Sequence, residues 1–314
     1  MEEIKFSHVS VLLPECIEGL DIKPHGIYVD GTTGGGGHSF EIAKRLTDGG
    51  RLIAIDRDTD ALKAAAKKLE EYADRVTFVH SNYCELETVL NDLGIPQIDG
   101  ILMDLGVSSY QLDTAERGFS YMQDARLDMR MNRDDVTSAY EVINEYPEEE
   151  LRRIIYEYGE EKFAKNIASN IVKKRTEAPI ETTLELAELI KASMPKAARE
   201  GGHHPAKRTF QAIRIEVNEE LSSIPVAIEA AVNRLAPGGR IAIITFHSLE
   251  DRLVKQKYAA LATGCTCPKE FPICVCNNKP KVKAVNKKPI TASDGELEVN
   301  PRSRSAKLRV AEKI

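Results

Sequence analysis

The sequence has no apolar run approaching the roughly 18 residues that a membrane-spanning helix requires. Its longest notable run is Ile241 to Phe246. A secretory leader pattern is also missing: MEEIKFSHVS opens with two acids and has no apolar core. Both absences lead to the expectation of a soluble, cytoplasmic protein with no membrane partner. There is no internal repeat and no low-complexity tract, and a hydrophobic share of 42% excludes a wholly disordered or collagen-like chain. Positive charge is in short supply, with 43 Lys+Arg against 49 Asp+Glu and a net of −6. Taken alone, that balance argues against a nucleic-acid partner, because phosphate binding needs a basic surface.

The charge is unevenly spread. Residues 277–314 hold ten Lys/Arg and four Asp/Glu, leaving the first 276 residues at −12. A second basic stretch, Lys191 to Arg214, has six Lys/Arg against Glu200 alone. Local patches of this kind steer partners whatever the global sign. They are equally compatible with a merely solvated surface.

At 314 residues the chain exceeds the roughly 250 to 300 at which single cores stop growing, so an insertion or a second domain is expected. Its first hundred residues alternate β-type runs with helical patterns. GIYVD (Gly26 to Asp30), RLIAID (Arg51 to Asp56), RVTFV (Arg75 to Val79) and IDGILMD (Ile98 to Asp104) read as strands, with helices at 38–46 and 59–72. Runs apolar on both faces belong inside a covered parallel sheet, so the fold class is α/β, doubly wound. Beyond Gln111 the alternation stops, and 147–175 and 182–194 read as helices. It resumes with the turn Pro237-Gly238-Gly239, a fifth strand over 240–246 and a helix from Ser248 to about Leu261. Two last strands are expected within 281–290 and 306–313, joined through Asn300-Pro301. The expected organisation is therefore a Rossmann-like, seven-stranded, mostly parallel domain over 1–110 and 209–314, with an inserted all-helical domain over 111–208.

The segment Asp30-Gly-Thr-Thr-Gly-Gly-Gly-Gly-His-Ser39 ends the first strand and opens a helix. Its glycines let backbone pass close to a ligand, at the sheet edge where open α/β folds bind theirs. No strict Gly-x-Gly-x-x-Gly lies there and no Gly-Lys-Ser/Thr follows, which disfavours a dinucleotide or a triphosphate. Asp56 ends the second strand, twenty positions after Gly36, where an acid accepts hydrogen bonds from ribose hydroxyls. A ligand with ribose but no phosphate fits best, and S-adenosylmethionine is the expected cofactor. Tyr83 follows the third strand as a candidate adenine contact. Asp104 ends the fourth and leads into Ser108-Ser109, which face the acceptor or serve as cap and turn residues.

His247 closes the fifth strand as a proton shuttle or as an ordinary strand-end histidine. Lys207, Gln211, Arg214 and Asn218, with the neighbouring Arg208, recur along one face of a helix as candidate RNA contacts or as a solvated stripe. Cys265, Cys267, Cys274 and Cys276 place four thiolates within twelve residues. That is chemically sufficient for tetrahedral zinc, but the Cys-x-Cys spacing is tighter than usual and no metal is assigned. Disulfides are disfavoured in the expected compartment, and Cys16 and Cys84 are expected to be small buried hydrophobes.

Together these segments resemble the MraW (RsmH) family. The match is carried by His8 to Leu13, Asp30 to Ser39, Ala54 to Asp58, Asp104 to Ser109, Glu116 to Ser120, Leu127 to Met131, Tyr158 to Glu161, Thr209 to Arg214 and Phe246 to Arg252. The resemblance implies a class I S-adenosylmethionine-dependent methyltransferase acting on N4 of a cytidine in small-subunit (16S) ribosomal RNA. It implies donor contacts at Gly36, Gly37, His38, Asp56, Tyr83, Asp104 and Gln111. Asp104, Ser108 and Ser109 are then expected to orient the amine, with His247 as proton acceptor. The expected partners are ribosomal RNA within the assembled small subunit and a second copy of the chain as a homodimer. Family members commonly carry Phe where this chain has Tyr83, which keeps a stacking ring. Gly35 stands where some have Arg.

Overall fold

The computed structural model describes residues 10–199, 202, 204–268, 273, 275, 276 and 278–314. His8 and Val9 of the first matching segment, and Cys274, lie outside them. The chain divides into two compact units, Met1–Gly106 with Leu221–Ile314, and Val107–Glu220.

The first unit is built on a seven-stranded sheet. Strands β1 (Ile27–Asp30), β2 (Arg51–Asp56), β3 (Val76–His80), β4 (Ile98–Asp104) and β5 (Leu235–Thr245) run parallel. β7 (Lys307–Lys313) joins β5 antiparallel and β6 (Val282–Ala284) pairs antiparallel with β7, giving the order β3-β2-β1-β4-β5-β7-β6. This is the class I Rossmann-like arrangement. β1 pairs with both β2 and β4, so the strand order reverses at β1, and the carboxyl ends beside such a reversal are where open α/β sheets bind their ligands.

Alternate residues explain why the sheet is covered on both sides. Ile53, Ile55, Ile101, Met103, Ile241 and Ile243 enter one core. Their neighbours Leu52, Leu102, Ala242 and Ile244 enter the other. Helices α1 (Leu13–Leu20), α2 (Gly37–Ala43) and α3 (Thr59–Lys68) supply Leu20, Ile42 and Ala65 to the second core. Helix α4 (Leu86–Asp92) supplies Leu86 and Leu90 to the first.

The second unit is helical: α5 (Ser109–Asp113), α6 (Ala139–Glu145), α7 (Glu148–Glu157), α8 (Ala164–Arg175), α9 (Thr183–Ala192), α10 (Lys196–Arg199) and α11 (Lys207–Val217). The helix expected over 147–175 is broken into α7 and α8. Glu160 there has φ 49°, and a Cβ on Gly159 would stand 2.6 Å from the Ile155 carbonyl and 2.7 Å from that of Arg208. The division falls at 107 and 220 rather than at the expected 111 and 208, because Phe210, Ile213 and Val217 of α11 pack with Ile154, Ile155 and Ile167 in the core of this unit.

The chain then returns to the first unit. Helix α12 (Glu220–Arg234) packs Ile224 and Ile228, and α13 (Ser248–Ala262) packs Val254 and Tyr258, on the face of the sheet that α4 covers. The connection between β6 and β7 through Asn300-Pro301 holds α14 (Asp294–Val299) and a 3-10 turn over Pro301–Ser305. Among the described residues, no helix is long and apolar enough to cross a membrane.

Candidate active site

The loop after β1 is held by its own polar groups. Gly31 N–H donates to the Leu102 carbonyl at 2.8 Å, while Thr33 donates to Ile55 through its N–H at 3.0 Å and its hydroxyl at 2.9 Å. The Thr32 hydroxyl accepts from Asp104 N–H at 2.6 Å. Asp30 is fully buried, accepting from the Ser39 hydroxyl at 2.6 Å and Thr32 N–H at 3.2 Å. The loop is thereby tied to the ends of β2 and β4, and the glycines then turn it into α2. Gly36 has φ 77°, and a Cβ there would lie 3.1 Å from Ala65 of α3, so only glycine serves without strain.

The His38 side chain is engaged within the fold. Its ring is buried, and Nε2–H donates to the Val11 carbonyl at 3.0 Å. Burial pulls its pKa down to about 4, so the ring is neutral and fastens α2 to the segment before α1.

Asp56 is oriented by two backbone donors, Gly34 N–H at 2.7 Å and Asp58 N–H at 2.8 Å. Desolvation outweighs these bonds and pushes its carboxyl up to about 6, with the charges of Asp58 and Asp30 adding to the effect. Asp30 is likewise raised to about 6 by burial. Asp104 is held well above the usual carboxylate range by desolvation first, then by the charges of Asp30 and Glu250. Its Oδ1 is buried with no hydrogen-bond partner. Tyr83 opens a 3-10 turn, half-buried, with its Cβ 3.2 Å from where a Gly31 side chain would begin. Three carboxylates and an aromatic ring thus gather at the ends of β1, β2 and β4 and after β3.

At the end of β5, His247 is the N-cap residue of α13. Glu250, 1% exposed, accepts from Phe246 N–H at 2.7 Å and His247 N–H at 3.2 Å, and its other oxygen lies 3.1 Å from His247 Nε2. Sequence reasoning took Glu250 for an acidic first-turn residue. Both ring nitrogens of His247 are buried with no hydrogen-bond partner among the described residues, so Glu250 holds the His247 backbone rather than its ring. The only signal for that is its third place in the helix, where a side chain can reach back to the cap.

In the second unit, Ser108 and Gln111 form a reciprocal capping box on α5. The Ser108 hydroxyl accepts from Gln111 N–H at 3.2 Å, and the Gln111 side chain accepts from Ser108 N–H at 3.0 Å. Ser108 is therefore a helix cap, and Gln111 is buried. Ser109 stands in the first turn.

The expected polar row on α11 is largely internal. Asn218 is fully buried, bonding Met129 and Met131 backbone at 2.8 Å each, and Gln211 donates to the Tyr158 carbonyl at 3.0 Å. Arg214 pairs with Glu220 through two 2.8 Å bonds. Arg208 is exposed, with one bond to the Glu160 carbonyl at 2.8 Å, and Lys207 is exposed. Nearby, a fully buried Arg117 donates to the Arg130 and Met131 carbonyls at 2.9 and 3.0 Å. The Glu116–Ser120 and Leu127–Met131 segments thus interlock as scaffold. Cys16 is buried as expected, but Cys84 is only half-buried, beside Glu85.

A sequence model described as the MraW methylase family matches residues 5–314. The chain belongs to this family. A ribosomal RNA small subunit methyltransferase H from Lachnospira eligens is 57% identical over 311 residues, covering 99% of each chain. One from Clostridium botulinum is 60% identical over 312 residues, covering 99% of this chain and all of the relative. Among solved structures, an rRNA methylase from Streptococcus thermophilus aligns with 100% of this chain and 99% of its own at 11% identity and a TM-score of 0.44.

Proposed function

We propose that this MraW-family chain is a cytoplasmic enzyme that methylates N4 of a specific cytidine in small-subunit ribosomal RNA within the assembled subunit, using S-adenosylmethionine. The observation that carries this reading is the end-to-end likeness to relatives named ribosomal RNA small subunit methyltransferase H. When bound, the donor supplies an electrophilic methyl group on a sulfonium centre. The residues present fit it: a glycine turn that admits backbone close to a ligand, an oriented carboxylate at Asp56 for ribose hydroxyls, and an unpartnered buried oxygen on Asp104. Gly36 and Gly37 line the turn, and Tyr83 offers a ring for adenine.

The cytosine amine is a weak nucleophile because its lone pair is delocalised into the ring. Attack on the methyl carbon forms the C–N bond as the C–S bond breaks, and a proton must then leave N4. Asp104 accepts a hydrogen bond from the amine and takes that proton, a task suited to a carboxylate whose proton affinity is raised. Glu250 holds the His247 backbone at the end of β5, and the unpartnered His247 ring is proposed to relay the proton onward. Ser109 is the proposed amine-orienting serine, Ser108 being committed to its helix cap. Exposed Lys207 and Arg208 are proposed to meet RNA phosphates, and a homodimer remains a proposed assembly.

The test is incubation with methyl-labelled S-adenosylmethionine and either assembled small subunits or naked ribosomal RNA, followed by nucleoside analysis. Label in N4-methylcytidine is expected. Label confined to another nucleoside, or none on either substrate, refutes the reading.

A further inference from the structure

Among the described residues, the methyl-transfer reading leaves one cluster of thiols unused. It lies in the first unit, in the loop between α13 and β6, and consists of Cys265, Cys267 and Cys276. Their sulfurs all lie within 4.8 Å of one another, and those of Cys265 and Cys276 are 3.7 Å apart.

We propose that Cys265, Cys267 and Cys276 bind zinc(II), making the loop a metal-pinned knuckle. Ligands on tetrahedral Zn–S bonds of about 2.3 Å stand about 3.8 Å apart, close to the observed separation. A disulfide would need the sulfurs at about 2.0 Å. An all-sulfur donor set selects a thiophilic ion over magnesium or calcium, which take oxygen ligands.

The backbone supports the same assignment. Val275 and Cys276 N–H groups both point at the Cys267 sulfur at 3.3 Å, and Thr266 and Asn278 N–H groups point at the Cys276 sulfur at 3.4 and 3.5 Å. Converging N–H donors are the surroundings that stabilise a metal-bound thiolate, whose charge they share. The loop ends are fastened independently: Lys281 N–H donates to the Leu261 carbonyl at 2.8 Å, and the Asn278 amide donates to the Thr263 and Gly264 carbonyls at 3.2 and 2.9 Å. Among the described residues of the loop, Ile273 and Val275 are exposed, so neither supplies apolar burial that would hold the three sulfurs together. In sequence a fourth thiol, Cys274, stands two residues before Cys276 and lies outside the described residues.

The experiment uses the full chain, produced in zinc-supplemented medium and purified under reductant without chelator. Elemental analysis is expected to find about one zinc per chain. Cobalt(II) exchanged into the chelator-stripped protein is expected to give sulfur-to-cobalt charge transfer and the intense visible bands of a tetrahedral site. The double variant Cys265→Ser/Cys276→Ser should lose both signals, while Cys84→Ser retains them. A wild-type chain that holds no zinc and gives no thiolate–cobalt spectrum overturns the proposal. So does a mass showing Cys265 and Cys276 joined as a disulfide under reductant, or cobalt spectra unchanged in the double variant. These readouts are independent of methyl transfer, so failure of either proposal leaves the other standing.

Discussion

Replacing Asp104 by Asn separates the stability cost of the site from its chemistry. The Asp104 carboxyl is desolvated, faces the charges of Asp30 and Glu250, and leaves Oδ1 without a partner. An unsatisfied buried group costs about 1–3 kcal/mol, more when charged, and Asn keeps the shape while removing the charge. Asn still leaves a polar group in the same buried site. Asp104→Asn should therefore stabilise the folded chain at mildly alkaline pH only by the part of that cost the charge adds, raising the melting temperature by roughly 2–4 °C for each kcal/mol. A carboxyl whose folded pKa is raised favours folding when protonated and loses that contribution as pH rises through the folded value. The gap between variant and wild type should accordingly widen with rising pH and close as pH falls toward the unfolded value of 3.8. Thermal unfolding across pH measures it. The same variant should lose methyl transfer by about 100- to 10,000-fold, the usual contribution of a positioned acid or base. A variant that melts lower than wild type, or a gap that ignores pH, refutes the desolvated-charge argument. Full turnover at unchanged donor affinity refutes the proton-accepting role.

Asp56→Asn should weaken donor binding roughly 10- to 150-fold, the worth of a charge-assisted hydrogen bond, and wild-type affinity should fall as pH drops through about 6; calorimetric titration checks both. Gly36→Ala forces an L-residue to φ 77° against Ala65, so it should cost about 1–2 kcal/mol of stability in thermal or denaturant unfolding and lower donor affinity. Lys207→Ala should leave the melting temperature unchanged while reducing RNA affinity and flattening its salt dependence by about one phosphate contact. Arg214→Ala strands the buried Glu220 carboxylate and should instead cost about 3–5 kcal/mol of stability.

The contrast between Lys207 and Arg214 shows where sequence reading stops. Spacing of four, three and four correctly implies one helix face, but not whether that face meets solvent. The partners that decide it, Met129 and Met131 for Asn218 and Tyr158 for Gln211, come from segments more than fifty residues away in the chain. The first four strands were legible because parallel strands covered on both faces read as short apolar runs; β1 to β4 fall within one residue of the expected bounds. β5 begins earlier than expected, at Leu235, because the Pro237-Gly238-Gly239 turn is absorbed as an irregularity opposite Ile98 and Gly100 rather than ending the pairing. β6 is shorter than expected, since only Val282–Ala284 finds a partner run and Ile290 makes a lone bridge to Leu308. The capping role of Ser108 was written in Ser-x-x-Gln, a pattern that fits a cap as well as it fits a site.

The scarcity of positive charge acquires a local meaning at the strand ends. Asp30 contributes to the raised pKa of both Asp56 and Asp104, so these acids oppose one another's ionisation. Such a cluster is relieved by a bound cation. S-adenosylmethionine carries a sulfonium charge that its demethylated product lacks, so the cluster should hold the donor more tightly than the product. It would thereby favour release after transfer. The preference depends on ionised carboxylates, and Asp30 and Asp56 both titrate near 6. The ratio of product to donor dissociation constants, measured by calorimetry, should therefore be larger at alkaline pH and shrink as pH falls through 6. A ratio constant across that range would mean that the acids orient hydroxyls and backbone without sensing the sulfonium.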